Sequence, residues 1–177
     1  MAIAVDSHPL RRLACTAALL GLPWSAMAFD ANKFEDFKTT NVCKYCDLTD
    51  APMSGRDMRG ADFQNANLSG AVMSKSNMGE RPMEKRTLVT NFEDANLRRA
   101  DFSGANLHLA NFTNAYLRDA NLTGADLSDA VLSKANLKGA VLNGANLKGA
   151  KLDDAKLDEA KFCKTTMPDG AVNDSGC

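Results

Sequence analysis

Five cysteines and two histidines are where covalent, redox or metal chemistry would have to begin in this chain. Cys43 and Cys46 stand at the spacing of a dithiol redox motif or of half a zinc site. A reactive dithiol owes its acidic thiol to a helix N-terminus in a βαβ setting, and nothing around Cys43-Lys44-Tyr45-Cys46 reads that way. A four-cysteine zinc site would have to bring Cys163 and Cys177 beside that pair. His108 has no second histidine with which to share a metal, because His8 lies in the N-terminal leader pattern described below. It reads as a solvated, outward side chain. The serines have no partner base in sequence, and no glycine-rich phosphate loop or metal-ligand spacing occurs. The many Asp and Asn residues recur beside turns, where they read as hydrogen-bond partners of the local backbone rather than as acid–base pairs. These residues predict a protein that is not an enzyme and binds no cofactor and no metal. Thiol redox chemistry at Cys43 and Cys46 is kept as an alternative.

The setting of those cysteines depends on the N-terminus. Arg11-Arg12 is followed by the ten-residue apolar run Leu13 to Leu22, then by Pro23, Trp24 and the small-residue pattern Ala26-Met27-Ala28. This is the pattern of a secretory signal peptide over residues 1–28, cut after Ala28. The apolar run is too short to span a bilayer, so no integral membrane segment is expected after cleavage. Cys15 lies at the start of the run, not after it, which excludes a lipoprotein reading, and the residues around the arginine pair lack the rest of a twin-arginine motif. An exported chain with four remaining cysteines predicts two local disulfides, Cys43–Cys46 and Cys163–Cys177, in an oxidising compartment such as the periplasm. The second would close its loop with about 3 kcal/mol of stabilisation.

The elements that hold these residues follow from a period of five. From Phe92 a large apolar residue recurs without a break at 97, 102, 107 and onward to Leu157 and Phe162. Alanine stands two positions before each, from Ala95 to Ala160, usually with Asn or Asp between. The same spacing runs earlier through Leu48, Met53, Met58, Phe63, Leu68, Met73 and Met78. Five matches neither the 3.6 of a helix nor the 2 of a strand. A chain that turns a corner every five residues resolves this: alanine and the large residue point inward, three positions point out, and four pentapeptides close one square coil. The second residue after each large one is often Gly, Asn or Asp, the types that accept the positive φ of a type II turn. With coils spaced by about 4.8 Å, the two cysteine pairs lie over about 20 Å apart, too far for one metal site.

The run A-[ND]-[LF]-x-x resembles the pentapeptide-repeat family over roughly residues 43 to 167. The flanks Cys43-Lys-Tyr-Cys46-Asp-Leu and Phe162-Cys163-Lys-Thr-Thr-Met-Pro-Asp-Gly170 are similar to the ends of cyanobacterial and thylakoid-lumen members. The resemblance implies an all-β solenoid, a right-handed quadrilateral β-helix, and in a cyanobacterial cell it makes the thylakoid lumen a further possible compartment. Some relatives mimic DNA and protect a topoisomerase, which requires a cytoplasmic location and strong negative potential. Here the net charge is −1, and the leader removes Arg11, Arg12 and Asp6, leaving −2. That alternative is disfavoured, and no nucleic-acid partner is expected.

The expected organisation is a capping helix within 29–42, repeats over 43–78, a charged loop or distorted coil at 79–91 dividing the stack, repeats over 92–162, and a disulfide-clamped cap at 163–177. The helix would run from an N-cap at Asp30 with Phe34 and Phe37 on one side. Two capped ends predict a monomer, with a dimer as the alternative. Residues twenty apart share a face, so Arg98, Arg99, Arg118 and Lys138, with Tyr116 beside them, form a candidate stripe for a protein or envelope partner. The chain is then an exported, non-enzymatic interaction scaffold that meets its partner through such a flat face or through the 79–90 loop. Intact mass of the protein from its native cell should give a chain beginning at Phe29, with four cysteines that alkylate only after reduction. A full-length chain with free thiols would refute both export and the disulfides.

Overall fold

The computed structural model describes residues 30–83 and 86–177. The expected leader, residues 1–28, lies outside the described residues. The repeating unit is a corner. The N–H of each alanine donates to the carbonyl of the large residue three positions earlier, as in Ala51 to Leu48 and Ala95 to Phe92, both 3.0 Å. The residue before the alanine adopts positive φ, near 70° at Gly70 and 58° at Asp94. Gly, Asn and Asp take this conformation at little cost, but so here do Lys75, Arg99, Leu109, Lys134 and Glu159. Packing of the flanking inward residues holds the corner even where the corner residue is a poor choice for it.

Between corners the chain pairs with its own next turn. Parallel bridges join Asn91, Asn111, Val131 and Lys151 in one ladder, and Asn96, Tyr116, Asn136 and Lys156 in the next. Two more run through Asp101, Asn121, Val141 and Lys161, and through Asn106, Asp126, Asn146 and Thr166. The chain therefore passes four stations and returns to the first after twenty residues. Backbone groups are satisfied between coils, as in Leu97 N–H to Tyr116 O and Tyr116 N–H to Ala95 O, both 2.9 Å.

The interior is filled by this arithmetic. Alanines from Ala51 to Ala145 and the large residues from Leu48 to Leu147 are essentially inaccessible. Phe63, Phe92 and Phe112 stack in a column with ring centroids 5.1 and 4.8 Å apart, and Phe102 meets the last two edge-on at 5.7 and 6.0 Å. Three alanine stations hold a hydroxyl residue instead. Ser76, Thr90 and Thr165 are buried, and each donates to a carbonyl of an earlier coil, at Met53, Met58 and Leu142 respectively.

Helix α1 (Ala31–Thr40) closes the N-terminal end. Asp30 accepts from the N–H groups of Asn32 and Lys33 at 3.0 and 3.1 Å, capping the helix. Phe34 and Phe37 are buried, and Phe37 meets Phe63 at 4.8 Å, so the helix sits directly on the phenylalanine column. The irregular segment after Met78 is a protruding hairpin, β1 (Arg81–Met83) paired antiparallel with β2 (Arg86–Leu88). It does not divide the stack. Asp62 pairs with Asn91 across 29 residues instead of 20, so one coil simply carries nine more residues while its ladders continue.

The C-terminal end departs from the expected full cap. Cys163–Cys177 is bridged with its Cα atoms 4.8 Å apart, and β3 (Thr165–Thr166) pairs with β4 (Val172–Asn173). This tail covers two of the four sides. Leu132 and Leu137 donate to Lys151 and Lys156 above them, but Leu152 and Leu157 find no carbonyl above among the described residues. Leu152, Ala155, Leu157 and Ala160 are only partly buried. The two open stations carry Lys151 and Lys156 where the coil below has Val131 and Asn136, and acidic pairs stand at their corners. A charged edge repels a further strand, so the last coil ends in solvent instead of templating another. Phe92→Ala should cost about 3–5 kcal/mol in chemical denaturation. Phe162→Ala, at the half-open end, should cost clearly less.

Candidate functional site

Both disulfides are formed, and they lie at opposite ends of the stack. The Cys43–Cys46 bridge has its Cα atoms 5.4 Å apart, and both residues are at most 5% exposed. The motif follows the C-terminal end of α1, not an N-terminal end, so no helix dipole favours a thiolate there. Burial and position both argue against dithiol exchange. Among the described residues, the only three groups of metal-ligating type drawn together are Cys163, Asp174 and Cys177, and both sulfurs there are already joined to each other.

His108 is not the freely solvated side chain expected. Its Nδ1 lies 2.9 Å from both the carbonyl and the hydroxyl oxygen of Ser128 on the next coil, and 4.0 Å from the Asp129 carboxylate. The histidine spans two coils because residues twenty apart are neighbours, which its local sequence cannot show. All three contacts converge on one ring nitrogen, so this is not the relay of a hydrolase, in which serine and acid use opposite nitrogens.

The Asn and Asp side chains do hydrogen-bond locally, and they also do more. Asn96 Oδ1 accepts from the N–H of Arg98 at 3.4 Å, while its Nδ2 donates to Asn67 Oδ1 at 3.0 Å. Asn67 in turn donates to Asp47 at 3.2 Å. Asn111 donates to Asn91, Asn121 to Asp101 and Asn146 to Asp126 in the same direction, each at 2.9–3.1 Å. An ionised aspartate can only accept, which is why it stands at the receiving end of these ladders.

The stripe residues share one side, as their backbone pairing shows: Arg99 N–H donates to Arg118 O, and Asp119 N–H to Lys138 O, both at 3.0 Å. Their charges are not equally free. Arg118 pairs with Asp119 at 3.3 Å, and Lys138 with Glu159 at 3.0 Å. The Arg98 guanidinium lies over the Tyr116 ring at 5.9 Å, where Tyr116 interrupts the asparagine ladder and is 47% exposed. The stripe thus narrows to Arg98, Arg99 and Tyr116.

A second feature has no sequence signal, because it joins residues from three separate segments. A cleft of about 260 Å³ is lined by Lys38, Thr39, Asn41, Asp57, Arg59 and Arg81. Arg59 grips Asp57 with two hydrogen bonds of 2.9 and 2.8 Å. That bond, with the nearby charge of Arg81 also contributing, holds the Asp57 carboxyl below its ordinary range. Asn96→Asp should cost about 1 kcal/mol at neutral pH, since it replaces a donor facing Asn67 by an acceptor. Thermal melts should show the deficit shrinking as pH falls below about 3.9, where a protonated carboxyl can donate again.

Comparison with known proteins places this geometry. The family description "Pentapeptide repeats" matches residues 44–80, 90–129 and 125–167, in eight copies. The gap after residue 80 is the hairpin. Among solved structures, the chain is similar to the pentapeptide repeat protein Rfr23 of the cyanobacterium Cyanothece 51142. Identity is 23%, over 77% of this chain and 95% of that one, with a TM-score of 0.48. It is similar to HetL of Nostoc sp. strain PCC 7120, a protein involved in heterocyst differentiation regulation, at 19% identity over 81% and 99%, TM-score 0.40. It is similar to a pentapeptide repeat protein of the Arabidopsis thaliana thylakoid lumen at 29% identity over 62% and 67%, TM-score 0.32. A comparison with curated protein sequences found no match.

Proposed function

Because this chain belongs to the pentapeptide-repeat family, we propose that it is an exported, non-catalytic scaffold, wound as a right-handed quadrilateral β-helix, that holds a protein or envelope partner against one flat side. The observation that carries this reading is the Arg98–Tyr116 pair. On a side otherwise laddered with asparagines, a half-exposed aromatic ring lies beneath a guanidinium, next to Arg99, which makes no ion pair among the described residues. Aromatic and arginine side chains are the types that anchor protein interfaces, since they bury much area with few rotors and keep a polar end.

The rigid setting supports the same reading. A side built from paired backbone loses little conformational entropy on docking, and its inward residues leave only the outward positions free to vary. Export is supported by the leader pattern of residues 1–28, and an oxidising compartment by the two bridges. The mild net charge speaks for a protein partner over nucleic acid. The open C-terminal rim, dressed with lysines and acids, favours a monomer.

The test is recovery of partners from an envelope extract by the wild-type chain and by a triple variant, Arg98→Glu, Arg99→Glu and Tyr116→Ala. The variant should lose its principal partner, while a control altered on the adjoining side, Glu93→Gln with Asp94→Asn, keeps it. The same partners on the triple variant would remove this side from the account.

A further inference from the structure

We propose that the cleft between the end of α1 and the base of the hairpin is a binding site for a small phosphate group, either free or as the terminal group of a larger molecule. Three cationic side chains line it: Lys38, paired with Glu35, Arg59, paired with the lining carboxylate Asp57, and Arg81. Thr39 and Asn41 add a hydroxyl and an amide to the same wall. Arg56, stacked over Phe34 at 5.1 Å, brings a further cation to the adjoining recess, which Lys38, Asn41 and Asp57 also line. Glu35 reaches Lys38 from the preceding turn of the same helix. Arg81 makes no side-chain hydrogen bond or ion pair among the described residues, so its donors are free to turn to a ligand.

The charges are exposed, but the backbone that carries them is fixed. Asn41, in the left-handed conformation that ends α1, donates its amide to Arg59 O at 3.1 Å. The N–H of Gly60 donates to the buried Thr90 hydroxyl at 3.2 Å, and that hydroxyl donates to Met58 O at 3.1 Å. The hairpin base is thereby tied to the corner that carries Arg59. Gly60 leaves no room for a side chain there: a Cβ would meet Leu88 Cβ at 2.8 Å and Arg81 Cβ at 3.4 Å. The helix end, the coil corner and the hairpin thus hold Lys38, Arg59 and Arg81 around one space. Two guanidinium groups, an ammonium and a hydroxyl on three different elements suit a tetrahedral dianion with several oxygens better than a planar carboxylate with two. A volume near 260 Å³ admits a phosphate with a small ester group. The insertion that creates the hairpin, which a repeat scaffold does not need for its core, here supplies Arg81.

The probes are inorganic phosphate and a soluble phosphate monoester, titrated by calorimetry into the full chain at constant ionic strength, with vesicles containing phosphatidic acid as a third arm. Saturable binding is expected, weakened at least about tenfold in Arg81→Gln with Lys38→Gln, two exposed positions whose loss leaves the core untouched. Arg118→Gln, on the partner side, should bind as the wild type does. Phosphate and monoester binding without vesicle binding assigns a soluble ligand; vesicle binding lost in the same variant assigns a lipid headgroup. Absence of saturable binding, equal competition by chloride, or an unchanged affinity in the double variant would overturn the proposal. A normal partner profile for Arg81→Gln in the envelope test keeps this result separate from the scaffold reading.

Discussion

The hydrogen bond from each alanine N–H to the carbonyl three residues before it, closed around a residue of positive φ, is the interaction on which the rest of the structure depends. It turns the chain every five residues, and only a turn at that interval lets a five-residue apolar pattern face one interior. Once four corners are made, the next coil lies in register on the last, and the backbone groups left over pair with it. The core residues follow from this geometry. Alanine is required because two large side chains at every corner would exceed a lumen whose width the backbone sets. Phenylalanine is admitted where its rings can stack along the axis, as Phe63, Phe92 and Phe112 do.

Repetition makes the middle of the molecule strong and its ends vulnerable. An interior coil is paired above and below, whereas a terminal coil has free backbone groups and a half-exposed core. The two ends meet this in different ways. At the N-terminus a capped helix buries Phe34 and lays Phe37 on the column, and Cys43–Cys46 fixes the first corner. At the C-terminus the tail shields two sides, and the other two are left to charge: lysines at the ladder stations and acids at the corners. The asparagine ladders add direction to the stack, since each amide donates toward the N-terminal end and an aspartate can stand only where acceptance is needed.

Both proposed sites on this body lie at the few places where the repeat is broken. Tyr116 interrupts an asparagine ladder and captures Arg98, and the hairpin interrupts a coil and brings Arg81 beside Arg59. In both cases a regular scaffold supplies rigidity, and the irregular residue supplies a group not used in holding the fold. Some outward charges are used locally. Arg118 and Lys138 are engaged by carboxylates, as Arg59 is by Asp57, and exposed pairs of this kind add little to stability while removing free charge from the surface.

The repeat, its inward alanines and large residues, the corner positions, the helix capped by Asp30 and the pairing of the cysteines were all legible in the residues. Each is a matter of short spacing, and the turn or the disulfide closes within three to fourteen residues of chain. The hairpin was visible only as a fault in the period, because Gly79 to Thr90 lacks the alanines without declaring a strand. What the tertiary structure alone decided is contact across coils. His108 reaching Ser128, the asparagine ladders, the unequal pairing of the stripe cations and the half-open rim all depend on which residues stand twenty or twenty-nine positions away. The cleft depends on still less local facts, since Lys38, Arg59 and Arg81 come from a helix, a corner and an insertion with no shared period. A five-residue rule dictates where each side chain points, but the charge or partner it meets is set by the coil above and below, and only the folded stack brings those together.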